Sequence, residues 1–213
     1  MSSSSPMSII LYNRLLSYLR YMKQLPAESP ENVSSTMIAS ALGVHDVQVR
    51  KDLALVSDKG KPKIGYITKD LIADLEHFLG HDNYADAVLV GVGNLGTAIL
   101  SYENFKQYGL KIVSAFDSDT ELIGTAVNGV QVLDAVKIAD LCERLKIHIG
   151  IITVPASCAQ EACDKLIAGG VQAIWNFSPI NLNVPQGIIV RNEDMAASLA
   201  VLTRQLADNI VEE

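Results

Sequence analysis

The ten residues Ala87 to Gly96, AVLVGVGNLG, constrain this chain more than any others: a short apolar run empties directly into Gly91-x-Gly93-x-x-Gly96. The pattern predicts a strand, a tight turn and a helix that together cradle a pyrophosphate. The first glycine allows the turn, the second lets backbone approach phosphate, and the third lets the helix pack on the strand. The helix expected from Asn94 points its free N–H groups at the anion, with Leu95, Ile99 and Tyr102 on one side. Val92, Asn94 and Leu95 fall within the same loop and are expected at the ligand with the three glycines.

A second strand, Leu110 to Phe116, ends in Asp117, about 20 residues beyond the last glycine, where the dinucleotide fingerprint places its ribose-binding acid. Asp117, with Asp119 two residues on, accepts from a ribose hydroxyl and repels a phosphate esterified there. No Lys or Arg lies in Asp117-Ser118-Asp119-Thr120-Glu121 to offset that repulsion. The expected ligand is therefore NAD(H), not NADP(H); a plain turn-capping role for Asp117 is the alternative.

At 213 residues the chain has room for one large or two modest domains. No apolar run approaches 18 residues, so no membrane span is expected. Met1-Ser-Ser-Ser-Ser-Pro6 lacks a basic start and an apolar core and reads as a disordered tail, not a signal peptide. Cys142, Cys158 and Cys163 form no CxxC pair and read as buried thiols rather than metal ligands or disulfides. A reduced, soluble, cytoplasmic protein is the expectation. Through Gly80 there are nine Lys/Arg against eight Asp/Glu, and beyond it eight against sixteen, giving −7 overall. Arg50, Lys51, Lys59, Lys61 and Lys63 nevertheless share one short stretch whose only acids are Asp52 and Asp58. Such a cluster suits a phosphate backbone, although a solvated surface is the commoner fate of a charge run.

The pattern divides the chain at residues 1–80, 81–192 and 193–213. In the first segment Leu11, Leu15, Leu19 and Met22 make a helical stripe ending before Pro26. Ser34 reads as the N-cap of a helix, Ser35 to Leu42, stopped by Gly43. A second helix is expected from Asp46 to Ser57, carrying Gln48, Arg50 and Lys51, with small Ala39 at the crossing. This is a helix-turn-helix, whose second helix enters the major groove. Gly60 to Ile67 then reads as a β-wing carrying lysines, and Asp70 to Leu79 as a helix with Leu71, Leu75 and Phe78 inward. Gly80-His-Asp-Asn marks the boundary.

From Tyr84 strands and helices alternate. Strands are expected at 87–90, 111–116, 130–132, 149–154, 173–177 and 188–190, and helices near 94–108, 134–145 (capped by Asp134) and 156–169. Apolar strands between helices imply a parallel sheet covered on both faces. Its ligand edge holds Gly91–Gly96, Asp117, Thr153-Val154-Pro155-Ala156 and Asn176-Phe177-Ser178-Pro179. Asn176 is read either as a nicotinamide contact or as a turn-former. A final helix, Glu193 to Val211, carries Met195, Leu199, Leu202, Leu206 and Ile210 in one stripe, suited to its own sheet or to a partner subunit. His148 opens a strand at the opposite edge, His77 and His81 lie in the linker, and His45 lies in the head. No proton donor accompanies the nucleotide motif, so the chain reads as a regulator and not an enzyme.

The chain resembles the Rex family of redox-sensing transcriptional repressors across Met7 to Val211. The resemblance rests on Arg14-Leu-Leu-Ser-Tyr-Leu-Arg20, Val33-Ser34-Ser35, Gln48-Val-Arg-Lys-Asp-Leu53, Gly65-Tyr66, Gly91-Val-Gly-Asn-Leu-Gly96 and Phe116-Asp117. Val154-Pro155-Ala156, Ala159-Gln160 and Asn176-Phe177-Ser178-Pro179 extend it. It implies an α/β protein, a winged-helix head followed by a Rossmann-like core, that pairs as a homodimer on near-palindromic double-stranded operator DNA. NADH releases the operator, and the C-terminal helix is exchanged between subunits. Residues expected at DNA are Ser34, Ser35, Gln48, Arg50, Lys51, Lys59, Lys61, Lys63 and Tyr66. Val154, Pro155, Asn176 and the partner-facing Met195 join the nucleotide loop, and Arg14, Tyr102 and Asp194 are the implied switch contacts. The wing departs from the family's Phe-Gly-x-Phe-Gly run and Arg-Gly tip: here Val56-Ser57-Asp58-Lys59-Gly60 leads to Pro62-Lys63. An NAD(H)- or CoA-binding protein or small enzyme, with weakened or absent DNA binding, is therefore the alternative.

Overall fold

The computed structural model describes residues 8–26, 28–80 and 85–211. The expected tail, Met7, the 81–83 boundary with His81, and Tyr84 lie outside the described residues. The chain divides into two compact units, Met1–Asn83 and Tyr84–Glu213.

The first unit runs α1 (Ile9–Lys23), β1 (Asn32–Val33), α2 (Ser35–Leu42), α3 (Asp46–Ala54), β2 (Tyr66–Ile67) and α4 (Thr68–Leu79). Leu15, Tyr18, Leu19 and Met22 of α1 are buried against Ile38, Ala39, Val49, Leu53, Leu71 and Leu75. Helix α2 has the expected ends. The Ser34 hydroxyl accepts from Met37 N at 3.1 Å, and Gly43 stops the helix in the left-handed region at φ 65°.

Two expectations in this unit need correction. Helix α3 stops at Ala54, not Ser57, where the chain tightens into i to i−3 bonds, Leu55 N to Asp52 O at 3.1 Å and Val56 N to Leu53 O at 3.0 Å. In α4 the buried row is Leu71, Leu75 and Leu79, whereas Phe78 is 39% exposed. Leu71 and Leu75 define an i, i+4 row that continues to 79.

Strand β1, two residues long, leaves no pattern in the sequence; it pairs antiparallel with β2, Val33 opposite Tyr66. Gly65, at φ 88°, permits this pairing, since a Cβ there would lie 2.2 Å from Val33 O.

One charge lies in the head's core. Asp52 of α3 is 2% exposed and its carboxylate accepts from Arg14 Nε (2.7 Å) and Nη2 (2.9 Å), Tyr18 Oη (2.9 Å) and Gln48 Nε2 (2.8 Å). Burial pushes its carboxyl upward, but the hydrogen bonds from Arg14, Gln48 and Tyr18 outweigh it and hold it below the usual range. Tyr18 is pushed up to about 12, first by burial and then by its bond to Asp52.

The second unit comprises β3 (Ala85–Val90), α5 (Asn94–Leu100), a 3-10 turn (Glu103–Tyr108), β4 (Leu110–Asp117), β5 (Ala126–Val127) and β6 (Val130–Asp134). It continues with a 3-10 turn (Ala135–Lys137), α6 (Ile138–Leu145), β7 (Ile149–Ile152), α7 (Ala156–Ala168), β8 (Ala173–Asn176), β9 (Ile189–Asn192) and α8 (Met195–Val211). The sheet order is β5-β6-β4-β3-β7-β8-β9, parallel throughout except for the β5–β6 hairpin. Omitting β5, this is the doubly wound 3-2-1-4-5-6 order, whose crevice opens between β3 and β7.

Strand β3 is buried on both faces: Val88 and Val90 join the layer of α6 and α7, while Ala87 and Leu89 join that of α5. The helix expected over 94–108 is broken. Helix α5 ends at Leu100, where the Ser101 hydroxyl donates to Thr97 O at 2.7 Å, and Tyr102 lies past it, 52% exposed, rather than on its apolar side. Asp134 caps the 3-10 turn, accepting from Val136 N at 2.9 Å. Among the described residues no helix is long and apolar enough to cross a membrane.

The raised Tyr18 pKa makes the head's alkaline stability depend on this phenol. Its contribution is complete below about pH 10 and disappears as pH rises from 10 through about 12. Tyr18→Phe is expected to flatten the fall of thermal stability across that window, as read by circular dichroism melts at successive pH values.

Candidate functional site

The nucleotide crevice is built at the strand ends. Gly91 N donates to Phe116 O at 2.8 Å and Thr153 N to Val90 O at 2.9 Å, so β3, β4 and β7 end in register. The Thr153 hydroxyl donates to Gly91 O at 2.6 Å and locks the turn from the β7 side. Asp117 Oδ2 accepts from Val92 N at 2.6 Å and Oδ1 from Asp119 N at 3.0 Å. Asp117 thus braces the glycine loop, and each of its oxygens keeps a further lone pair for a ligand hydroxyl.

The three glycines differ in what they avoid. A Cβ on Gly91 (φ 99°) would lie 2.7 Å from Val154 Cγ1, and one on Gly96 would lie 2.0 Å from Gly91 O. Gly93 has an ordinary φ of −72°, and a Cβ there would meet nothing within 4 Å. Neither backbone conformation nor internal packing requires glycine at 93; what it preserves is open space above the loop.

That space continues into a cleft of about 590 Å³ bounded by Gly91, Gly93, Asp117, Leu122, Val154, Pro155 and the α7 face of Cys158, Glu161 and Lys165. Of the residues expected at the nucleotide, Gly91, Gly93, Asp117, Val154 and Pro155 line it. Val92 and Gly96 are buried beneath it, and Asn94 and Leu95 open α5. Pro155 occupies the cap position of α7.

Asn176 has the contacts of its turn-forming alternative. It is fully buried, its amide donates to Ser178 O, Ile180 O and Asn192 Oδ1, and its oxygen accepts from Ser178 N. Its amide hydrogens are used in shaping the turn, which leaves no free donor for a nicotinamide. Met195, 64% exposed at the start of α8, is not among the cleft residues. Asp194 Oδ1 accepts from Ala197 N at 2.8 Å and caps α8. Leu199, Leu202 and Leu206 stand exposed along that helix; the side chain of Ile210 lies outside the described residues.

The cysteines also divide. Cys142 and Cys163 are buried, their thiols pushed up to about 11 by burial, whereas Cys158 is exposed and borders the cleft, contrary to expectation. Among the described residues no cluster of three or more His, Cys, Asp or Glu could hold a metal. His148 is exposed at the start of β7, the opposite end from the cleft.

In the head, a separate concavity gathers Ser34, Ser35, Arg50, Lys61, Lys63 and Tyr66. Arg50 reaches Asp46 at 2.9 Å on the outer face of α3. The Tyr66 ring packs over Gly60, where a Cβ would lie 2.6 Å from it. Lys61 N donates to Gly65 O at 2.9 Å and closes the wing, leaving Lys63 at its tip at φ 65°. Gln48 and Lys51 border an adjoining depression with Arg14. Lys59, also expected at DNA, is ion-paired to Asp74 of α4 at 2.7 Å and ties the wing's base to the bundle.

The implied switch residue Arg14 is the bidentate partner of Asp52 here. Asp52 itself is the residue the sequence reading missed. In the sequence it stands as an acid within the basic stretch, although its spacing from Val49 and its place next to Leu53 put it on the inward face of α3.

A winged helix-turn-helix head followed by a doubly wound nucleotide-binding unit is the class these two sites define. A family model for a putative DNA-binding protein N-terminus matches residues 8–54, and one for a CoA binding domain matches residues 82–180. A redox-sensing transcriptional repressor Rex of Porphyromonas gingivalis is 42% identical over 91% of this chain and 88% of its own length. That of Desulfitobacterium hafniense is 44% identical over 89% and 90% respectively. The crystal structure of RSP in complex with β-NAD+ and operator DNA matches with a TM-score of 0.89 at 33% identity, covering 98% of this chain and 96% of that one. RSP in complex with β-NADH matches at 0.83 and 32% identity, covering 98% of each chain. The chain belongs to the Rex family of redox-sensing transcriptional repressors.

The glycines give a paired prediction. Gly93→Ala is expected to leave the thermal midpoint unchanged while abolishing NADH binding by calorimetry; Gly96→Ala is expected to lose both. The wing gives another. A non-glycine residue in the left-handed region costs about 1–2 kcal/mol, so Lys63→Gly is expected to stabilise the head by up to about 1 kcal/mol. It is expected to weaken operator affinity in fluorescence anisotropy at the same time, because a wing charge is removed.

Proposed function

We propose that this chain is an NADH-responsive transcriptional repressor that binds operator DNA as a homodimer and releases it when NADH occupies the core. Residues 1–80 read DNA, 81–192 hold the nucleotide and 193–213 pair two copies. The observation that carries the nucleotide half is Gly93, a glycine kept for empty space beside the Asp117 carboxylate. Relatives of this length are named for redox sensing and repression, and structures of the family member RSP hold NAD+, NADH and operator DNA.

Asp117 takes the adenosine ribose hydroxyls and repels a 2′-phosphate. Gly91, Val92, Gly93, Asn94, Leu95 and Gly96 cradle the pyrophosphate, and Val154 and Pro155 wall the cleft towards the nicotinamide. Met195 reaches the nicotinamide pocket from the partner subunit. In the head, Ser34, Ser35, Arg50, Lys61, Lys63 and Tyr66 form the phosphate-facing concavity, with Gln48 and Lys51 on the face of α3 that enters the groove. The switch is a redistribution of Arg14, Tyr102 and Asp194 contacts, in which Asp194 changes partner with the nucleotide state. A cytoplasmic setting suits a DNA-binding protein whose buried thiols stay reduced.

The match to a CoA-binding family model over residues 82–180 favours one second reading, a CoA-type ligand in the same cleft. A gel-shift titration on a palindromic operator fragment tests both. NADH is expected to release the DNA, NADPH to do so far less effectively because of Asp117, and CoA to leave it bound. Release by CoA and not NADH would transfer the cleft to the second reading.

A further inference from the structure

Resting on the DNA-reading role just proposed for α3, we infer that Asp52 is a positioning residue that orients the Gln48 amide to read an adenine in each operator half-site. Asp52 and Gln48 lie one turn apart on α3, one buried and the other exposed. Oδ1 of Asp52 accepts from Gln48 Nε2 at 2.8 Å and from Arg14 Nη2 at 2.9 Å, while Oδ2 takes Arg14 Nε and the Tyr18 hydroxyl. The two-pronged guanidinium fixes the plane of the carboxylate, and the fixed carboxylate then fixes the amide.

An ionised carboxylate only accepts hydrogen bonds. The Gln48 nitrogen must therefore face it, and the Gln48 oxygen must face away. The exposed edge of the amide is left with one acceptor and one free N–H. That pair complements the N6 donor and N7 acceptor that adenine alone presents in the major groove. Without Asp52 the amide turns freely between two orientations, only one of which fits, and its ordering is charged against binding.

Stability alone does not call for an acid at this position. A buried ionic cluster is commonly no better than well-packed apolar residues, and Val49 and Leu53 beside it are fully buried without one. The arrangement instead spends burial on the direction of one surface side chain.

The test uses the full-length chain and an operator selected by it from a randomised duplex pool. Each adenine of the half-site is then replaced in turn by 7-deaza-adenine, which lacks the N7 acceptor. In anisotropy titrations of the wild type, one such replacement per half-site is expected to weaken binding about ten-fold. In Asp52→Asn, whose side chain can also donate and so accepts either amide orientation, that penalty is expected to fall below about two-fold, with affinity for random-sequence DNA unchanged. Gln48→Ala is expected to lose the same discrimination and the double variant no more. Tyr18→Phe, which lowers stability through Oδ2 alone, is expected to keep it.

Full discrimination in a folded Asp52→Asn, or no adenine at which N7 matters to the wild type, overturns the inference and leaves the repressor reading standing. A wild type that enriches no duplex overturns both. Should Asp52→Asn fail to fold, side-chain nitrogen relaxation of Gln48 in the DNA-free wild type decides. An order parameter near the rigid-backbone value of about 0.85 supports the inference, and one as low as that of exposed Gln186 contradicts it.

Discussion

Helix α5 can begin where it does only because nothing projects from Gly96 towards Gly91 O, which a methyl group would approach to 2.0 Å. That approach fixes where the helix starts, hence where the loop above it lies, hence where Gly93 holds its space open. Asp117 and Thr153 secure the same loop from the neighbouring strands β4 and β7, through Val92 N and Gly91 O. One backbone approach, braced by two side chains, thus converts a parallel sheet into a site for a dinucleotide. The sheet contributes the crevice, the missing side chains contribute the room, and in the function proposed above the Asp117 carboxylate sets which ribose fits.

The head follows a similar logic with opposite chemistry. Gly65 lets β2 pair with Val33 and brings the wing against α2, so that Lys61, Lys63 and Tyr66 share a concavity with Ser34, Ser35 and Arg50. Two of its acids are turned to other work: Asp52 is buried under Arg14, and Asp74 holds Lys59 at the wing's base, while Asp46 pairs with Arg50 at the surface. A protein with an overall charge of −7 thereby presents a locally basic face. Net charge was a poor guide to its partner, and the placement of each acid was the informative quantity.

The sequence made the nucleotide loop, both ends of α2 and the alternation of the core legible because each rests on local chemistry: a glycine triplet, a serine cap, a glycine stop, unbroken apolar strands. Where it misled, a non-local contact prevailed. Residues 94–108 carry enough apolar spacing for one helix, yet Ser101 turns back onto Thr97 and is met by Asn128 from the β5–β6 turn. Strands β1 and β5 are two residues long each and leave no periodic trace. Asn176 offers two readings, and its hydrogen bonds to Ser178 and Asn192 favour the turn-former. Asp52 was hidden by its neighbours, since an acid beside Arg50 and Lys51 reads as surface until the helix is packed.

A repressor of this kind must carry one free energy between two places, the cleft of the core and the surface of the head, and such coupling is reciprocal. If NADH weakens operator binding by some factor, the operator must weaken NADH binding by that same factor. Calorimetric titration of NADH into the dimer, alone and saturated with operator, measures this directly. The account predicts a weaker NADH affinity with DNA bound, by the factor that NADH imposes on the operator. Equal affinities in the two titrations would contradict it.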